Sequence, residues 1–265
     1  MTQVKGKKVY LGTNTKMYKG VADTASYLEE LCRLTGDLSR EALELFVIPS
    51  FTALESARRC APRELVRLGG QNMGWAGEGP YTGEISPKML LEVGADIAEL
   101  GHSERRHVLG ETDEMVNRKV LCAAEYGLTA LLCIGETAEE KARGLADEVL
   151  RTQLKAGLYG LGAGGAERLW VAYEPVWAIG EHGVPATKEY AEARHDTIRR
   201  TLTELYGEQA GQAVPLLYGG SVNPDNAVGL IRMENIDGLF IGRSAWDASQ
   251  FNRIIRQVMP LYMNK

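Results

Sequence analysis

The chain has 265 residues, 45% of them hydrophobic and 25% charged, and a net charge of −5. That length fits one large α/β domain or two small ones, and a closed (β/α)8 barrel needs roughly 250 residues. Dispersed basic residues argue against nucleic-acid binding. The absence of any apolar run near 18 residues argues against a membrane span, and a polar, lysine-bearing N-terminus argues against a signal peptide.

Eight short apolar runs follow one another along the chain. They are Val9–Asn14, Leu45–Ile48, Val66–Gly70, Ile97–Leu100, Thr129–Ile134, Trp170–Glu174, Val214–Tyr218 and Gly238–Ile241. Most are continuous rather than alternating, as strands buried on both faces of a parallel sheet are. Helical patterns follow them. Val21, Ala25, Leu28, Leu31 and Cys32 mark one helix face after the first run, and Val116, Val120, Ala123 and Ala124 mark another. Ser86-Pro87 and Asn223-Pro224 read as an N-cap followed by an N1 proline, and Thr137-x-x-Glu140 as a capping box. The stretch Gly160–Gly165 is too short for an interdomain linker and suits a helix-to-strand loop. Eight β-α units without a boundary predict a single (β/α)8 barrel domain over residues 1–265. An open doubly wound sheet would want Gly-x-Gly-x-x-Gly after its first strand. The turn here is Gly12-Thr13-Asn14-Thr15-Lys16. The four cysteines (Cys32, Cys60, Cys122, Cys133) lack CxxC spacing and are expected as reduced thiols in a cytoplasm.

Barrel chemistry gathers at the C-terminal ends of the strands. Those ends offer Asn14 and Lys16, then His102 and Glu104, then Glu174, then Tyr218-Gly219-Gly220-Ser221, then Gly242-Arg243-Ser244. Glu174 is followed at once by Pro175, which ends the strand. Next come Ala178-Ile179-Gly180, an apolar loop tip suited to closing over a ligand. A carboxylate beneath such a lid is arranged as a general base. The glycine-bearing turns suit an anion. Singly each has a duller reading: a paired strand-end glutamate, a structural histidine, a solvated lysine, a tight turn. Jointly they suit proton transfer beside the carbonyl of a phosphorylated sugar.

At these residues the chain resembles the triosephosphate isomerase family of TIM barrels. The likeness runs, in order, through Asn14-Thr15-Lys16-Met17, Gln71-Asn72, Tyr81–Ser86, Leu100–Arg106, Cys133–Thr137, Tyr173–Gly180 and Tyr218–Val222. It implies Glu174 as the base that moves a proton between neighbouring carbons and His102 as a neutral electrophile. Lys16 would stabilise enediolate and phosphate charge, Asn14 would hydrogen-bond substrate oxygens, and Glu104 would hold Lys16. Gly180, Ser221 and Gly242 would donate backbone N–H groups to the phosphate; Arg243, which stands where the family usually has a second glycine, either points outward or lends a fork of donors to the phosphate or the dimer edge. No metal or organic cofactor is implied. A homodimer is, with Thr82 on the arm Gln71–Ser86 reaching the partner's site.

The chain also departs from the family's usual pattern. After Gly180 the lid reads Glu181-His182-Gly183-Val184-Pro185-Ala186-Thr187, and the last strand runs into Gly242-Arg243-Ser244-Ala245-Trp246. Thr15 and Tyr18 also differ from the usual residues. These features resemble a branch that interconverts L-erythrulose 1-phosphate and D-erythrulose 4-phosphate. A longer substrate is expected to need a different reach from phosphate to reacting carbons, built at the lid and the phosphate end. Interconversion of dihydroxyacetone phosphate and D-glyceraldehyde 3-phosphate, in glycolysis and gluconeogenesis, is the alternative. A barrel that binds phosphate without catalysis leaves Glu174 and His102 without a use.

Overall fold

Eight parallel strands pair in chain order and the eighth returns to the first, closing a barrel. The computed structural model describes residues 8–180 and 183–263. The strands are β1 Val9–Asn14, β2 Leu43–Ile48, β3 Arg67–Gly70, β4 Ile97–Leu100, β5 Thr129–Ile134, β6 Leu169–Tyr173, β7 Leu216–Tyr218 and β8 Gly238–Phe240. The helices are α1 Val21–Thr35, α2 Leu54–Cys60, α3 Pro87–Glu92, α4 Ser103–His107, α5 Asp113–Glu125 and α6 Ala138–Ala142. They continue with α7 Ala146–Gly157, α8 Ala163–Ala166, α9 Lys188–Tyr206, α10 Glu208–Ala213, α11 Ala227–Ile231 and α12 Ala248–Tyr262. The expected (β/α)8 TIM barrel is therefore the observed fold.

Two apolar layers explain why the strand runs are continuous. Phe46, Ile48, Ile97, Leu131, Trp170, Leu217 and Phe240 fill the barrel interior. Leu11, Leu45, Leu68, Leu100, Leu132, Val171 and Leu216 face the other way, in the larger cluster shared with helix residues such as Leu28, Val120 and Ile254. All six residues of β5 are buried. Neither face meets water, so neither needs polar alternation.

Local signals set the element ends. Ser86 caps α3 with Pro87 at its first position, and Thr137 and Glu140 form the reciprocal capping box of α6. Asn223 does not cap a helix directly. Its side-chain oxygen accepts from the N–H groups of Asp225 and Asn226, making a turn, and α11 begins at Ala227. The Gly160–Gly165 stretch holds the start of the short helix α8. β7 starts at Leu216 rather than Val214, since Pro215 has no N–H for the ladder. Glu174 lies just past β6, although its N–H still donates to Ile134 O at 2.8 Å. Cys32, Cys60, Cys122 and Cys133 are all free thiols. Among the described residues no helix is long and apolar enough to cross a membrane.

Candidate active site

The ends of β1, β4, β6, β7 and β8 open onto one cavity of about 430 Å³. Asn14, Lys16, His102, Glu104, Glu174, Gly180, Ser221, Gly242 and Arg243 all line it. The sequence separates the first and last of these by more than two hundred residues, and barrel closure brings them together. Thr82 does not line the cavity and is exposed in a turn between β3 and α3.

Glu174 is 3% exposed. Its Oε1 lies 3.6 Å from His102 Nε2, and its Oε2 is buried with no hydrogen-bond partner. A buried carboxylate oxygen free of protein partners is positioned to take a proton from a bound ligand. Gly219 gives it room: a Cβ there would stand 2.8 Å from Glu174 Cγ. His102 is the N-cap residue of α4, and its Nδ1 accepts the Glu104 backbone N–H at 3.2 Å. A ring nitrogen that accepts carries no proton. The hydrogen is therefore on Nε2, the atom that faces Glu174 and the cavity.

Lys16 has a left-handed backbone, φ 51°, unusual for a residue with a side chain. Asn14 holds it there, because Asn14 Oδ1 accepts the Lys16 backbone N–H at 2.6 Å. Gln71 Nε2 reinforces the turn, donating to Lys16 O at 2.8 Å and Asn14 Oδ1 at 3.1 Å. The Lys16 ammonium pairs with Glu104 at 2.6 Å. Strain at this loop thus places an ammonium and an amide beside the His102–Glu174 pair.

The lid begins at Pro175 and its first turn is Val176–Ala178. Glu136 anchors that turn. Its buried carboxylate accepts from the Trp177 indole at 2.9 Å, from the Tyr190 hydroxyl at 2.9 Å and from the Tyr173 hydroxyl at 3.0 Å. Ser221 Oγ donates to Ala178 O at 2.6 Å, fastening the lid to the loop after β7, and Val184 N donates to Trp177 O at 3.2 Å, tying the lid's two stems together. Gly180, at φ 87°, makes the reversal at the tip. Gly183 and Pro185 line the cavity, while Glu181 and His182 lie outside the described residues.

At the opposite wall Gly242 leads into a single 3-10 turn, Arg243–Ala245. That right-handed backbone accepts a side chain without strain, so the arginine after Gly242 costs the loop nothing. Arg243 is exposed and borders the cavity, and among the described residues its guanidinium makes no ion pair. Trp246 Nε1 donates to Asn14 O at 2.9 Å, and the Tyr18 ring lies 4.6 Å from the Trp246 ring.

Two acidic residues of this site were not singled out by sequence reasoning. Glu136 sits in a segment quoted above without a role. Glu99 lies inside β4, fully buried, and accepts the Asn14 amide N–H at 2.6 Å. Burial, and then the charge of Glu174, push its carboxyl well above the usual carboxylate range. Glu99, His102 and Glu174 each bring one side-chain nitrogen or oxygen within 4.8 Å of the others, so two carboxyls and one imidazole form a buried cluster. The readable signal for Glu99 was one acidic residue inside a four-residue apolar run.

Comparison with known proteins agrees with this geometry. The triosephosphate isomerase family profile matches residues 9–258. The chain is 47% identical over 252 residues to L-erythrulose-1-phosphate isomerase of Rhizobium etli, covering 94% of this chain and 92% of the relative. It is 45% identical over 251 residues to the protein of that name in Rhizobium meliloti, covering 94% and 96%. It is 43% identical over 247 residues to that of Mesorhizobium japonicum, covering 93% and 95%. With a barrel closed in the expected order, a carboxylate and an imidazole facing one cavity, and a profile match over nearly its whole length, this chain belongs to the triosephosphate isomerase family.

Proposed function

We propose that this chain is a cofactor-independent sugar-phosphate isomerase that interconverts L-erythrulose 1-phosphate and D-erythrulose 4-phosphate. The observation that carries the isomerase reading is the approach of Glu174 Oε1 to His102 Nε2 at 3.6 Å under the lid. Glu174 takes the proton from the carbon next to the carbonyl. His102 donates its Nε2 hydrogen to the carbonyl oxygen as an enediol forms, and recovers a proton from the hydroxyl of the neighbouring carbon, whose oxygen becomes the new carbonyl. Lys16 and Asn14 stabilise the developing negative charge, and Glu104 holds the Lys16 ammonium in place. Glu174 then delivers its proton to the neighbouring carbon. Atoms balance, and the carbonyl has moved by one carbon.

The tetrulose reading rests on the names and identities of the relatives, together with the Pro185 lid and the Arg243 segment. The chemistry of the two substrates does not require a different reach from phosphate to reacting carbons. In both the triose and the tetrulose the carbonyl starts one carbon from the phosphate-bearing CH2 and moves one carbon further away. The additional CH2OH sits beyond the far reacting carbon. The reach from phosphate to chemistry is the same, and the extra room is needed at the end away from the phosphate. Gly180, Ser221 and Gly242 offer the phosphate their backbone N–H groups and Arg243 its guanidinium. The second reading, a triosephosphate isomerase of glycolysis, is favoured by the set Asn14, Lys16, His102 and Glu174 bordering one cavity.

We read residues 1–265 as one domain, cytoplasmic and homodimeric, with no nucleic-acid or membrane partner. The four free thiols support a reducing compartment. Exposed Met17, Val108 and Leu109 support the dimer. The arm bearing Thr82 reaches across such an interface.

Glu174→Gln tests the isomerase reading. Turnover falls by about a thousandfold, while an unreactive phosphate-bearing analogue still binds. Undiminished turnover removes Glu174 from the chemistry.

A further inference from the structure

Glu99 takes no part in the proton transfers above, yet it lies directly beneath them. It is 0% exposed, and its side chain leaves β4 toward the barrel interior, as the neighbouring Ile97 does. Asn14 Nδ2 donates to its Oε2 at 2.6 Å, and Cys133 Sγ lies 3.9 Å from its Oε1. The ionisable groups facing it are Lys16 from the β1 loop, His102 and Glu104 around α4, Cys133 from β5 and Glu174 beyond β6. Lys16, the cation in this set, is paired with Glu104. Among the described residues Glu99 forms no ion pair.

A carboxylate so placed would be a second negative charge beside Glu174, with one amide and one thiol as donors. Buried charges so poorly compensated take up a proton instead. A second charge would also oppose the enediolate and the phosphate. The Asn14 amide has its orientation fixed from three sides: Lys16 N and Gln71 Nε2 donate to Oδ1, and one Nδ2 hydrogen goes to Glu99. That leaves the second Nδ2 hydrogen for the cavity that Asn14 lines.

We propose that Glu99 is a positioning residue that keeps its proton at neutral pH, so that Glu99 and Glu174 share one negative charge, carried by Glu174, while Glu99 Oε2 orients the Asn14 amide toward substrate. Its functional consequence rests on Glu174 being the base, but its protonation state does not. Burial beside Glu174 acts in the same direction.

Infrared difference spectra of the wild type minus Glu99→Gln, in H2O and D2O near pH 7, read the proton directly. The expected result is a protonated-carboxyl C=O stretch that shifts in D2O and is absent from the variant. Only carboxylate bands for Glu99 overturn the proposal, whether or not the protein is an isomerase. Turnover tests the positioning. Glu99→Leu lowers kcat by at least about tenfold with KM little changed, and Glu99→Gln recovers most of that loss. Equal kcat in Glu99→Leu and wild type overturns the positioning role. If Glu99→Leu does not fold, the infrared result and kcat of Glu99→Gln decide, and a tenfold loss in the isosteric Glu99→Gln contradicts a neutral acid.

Discussion

The Trp246 indole N–H donates to the backbone carbonyl of Asn14 at 2.9 Å, fastening the loop after β8 to the end of β1. Asn14 in turn fixes the left-handed turn at Lys16. The substitution Trp246→Phe keeps a ring beside Tyr18 and removes the donor. A lost hydrogen bond of this kind costs about 1 kcal/mol. Loosening the Asn14–Lys16 turn is expected to lower kcat/KM about fivefold, and Tm by roughly 2–4 °C for a chain of this size. Steady-state kinetics and a thermal melt check both.

Arg243 is an exposed residue that borders the cavity, and its guanidinium has no ion-pair partner among the described residues. For a phosphate dianion this is a charge-assisted donor fork. In Arg243→Met, KM rises at least about tenfold, kcat changes less, and the salt dependence of kcat/KM weakens. An unchanged KM means that the side chain serves the surface instead.

Lys119 and Glu111 form a buried ion pair, with Lys119 also donating to Asn72 at 2.9 Å. Removing Lys119 leaves the buried Glu111 with Arg105, 3.4 Å away, as its one cation partner among the described residues. Lys119→Met is expected to destabilise by about 3–5 kcal/mol, whereas the double variant Lys119→Met, Glu111→Leu recovers much of the loss. Denaturant titration of the two variants separates pairing from packing.

Glu99 makes stability depend on pH with a definite sign. Its folded carboxyl titrates well above the ordinary range. Between the unfolded value, about 4.3, and the folded one, the unfolded chain binds fewer protons. Stability from this group therefore falls as pH rises through that window. The variant Glu99→Gln cannot ionise. Its Tm is expected to exceed the wild type's near neutral pH, with the advantage closing as pH falls toward the ordinary carboxylate range. An advantage that grows in acid contradicts the sign.

The fold was legible because eight runs are apolar on both faces, and burial on both faces leaves that mark in sequence. Run ends were less legible. Pro215 delays β7, and Asn223 turns the chain before α11 instead of capping it. The residues bordering the cavity were legible where they sit at strand ends in motif-like segments, as His102, Glu104 and Glu174 do. Glu99 was not, because its direction depends on the pleat of β4 and its partners come from β1 and β5. Glu136 was not, since its three donors arrive from β6, the lid and α9. Trp246 acts through a backbone carbonyl 232 positions away, which no local pattern records.

The most direct test of the account is kcat/KM measured side by side on L-erythrulose 1-phosphate and D-glyceraldehyde 3-phosphate. The account predicts that the tetrulose phosphate wins by more than about tenfold, a transition-state preference above roughly 1.4 kcal/mol. A triose phosphate that wins near the diffusional ceiling contradicts it. The Pro185 lid and the Arg243 turn would then be variations on a triosephosphate isomerase.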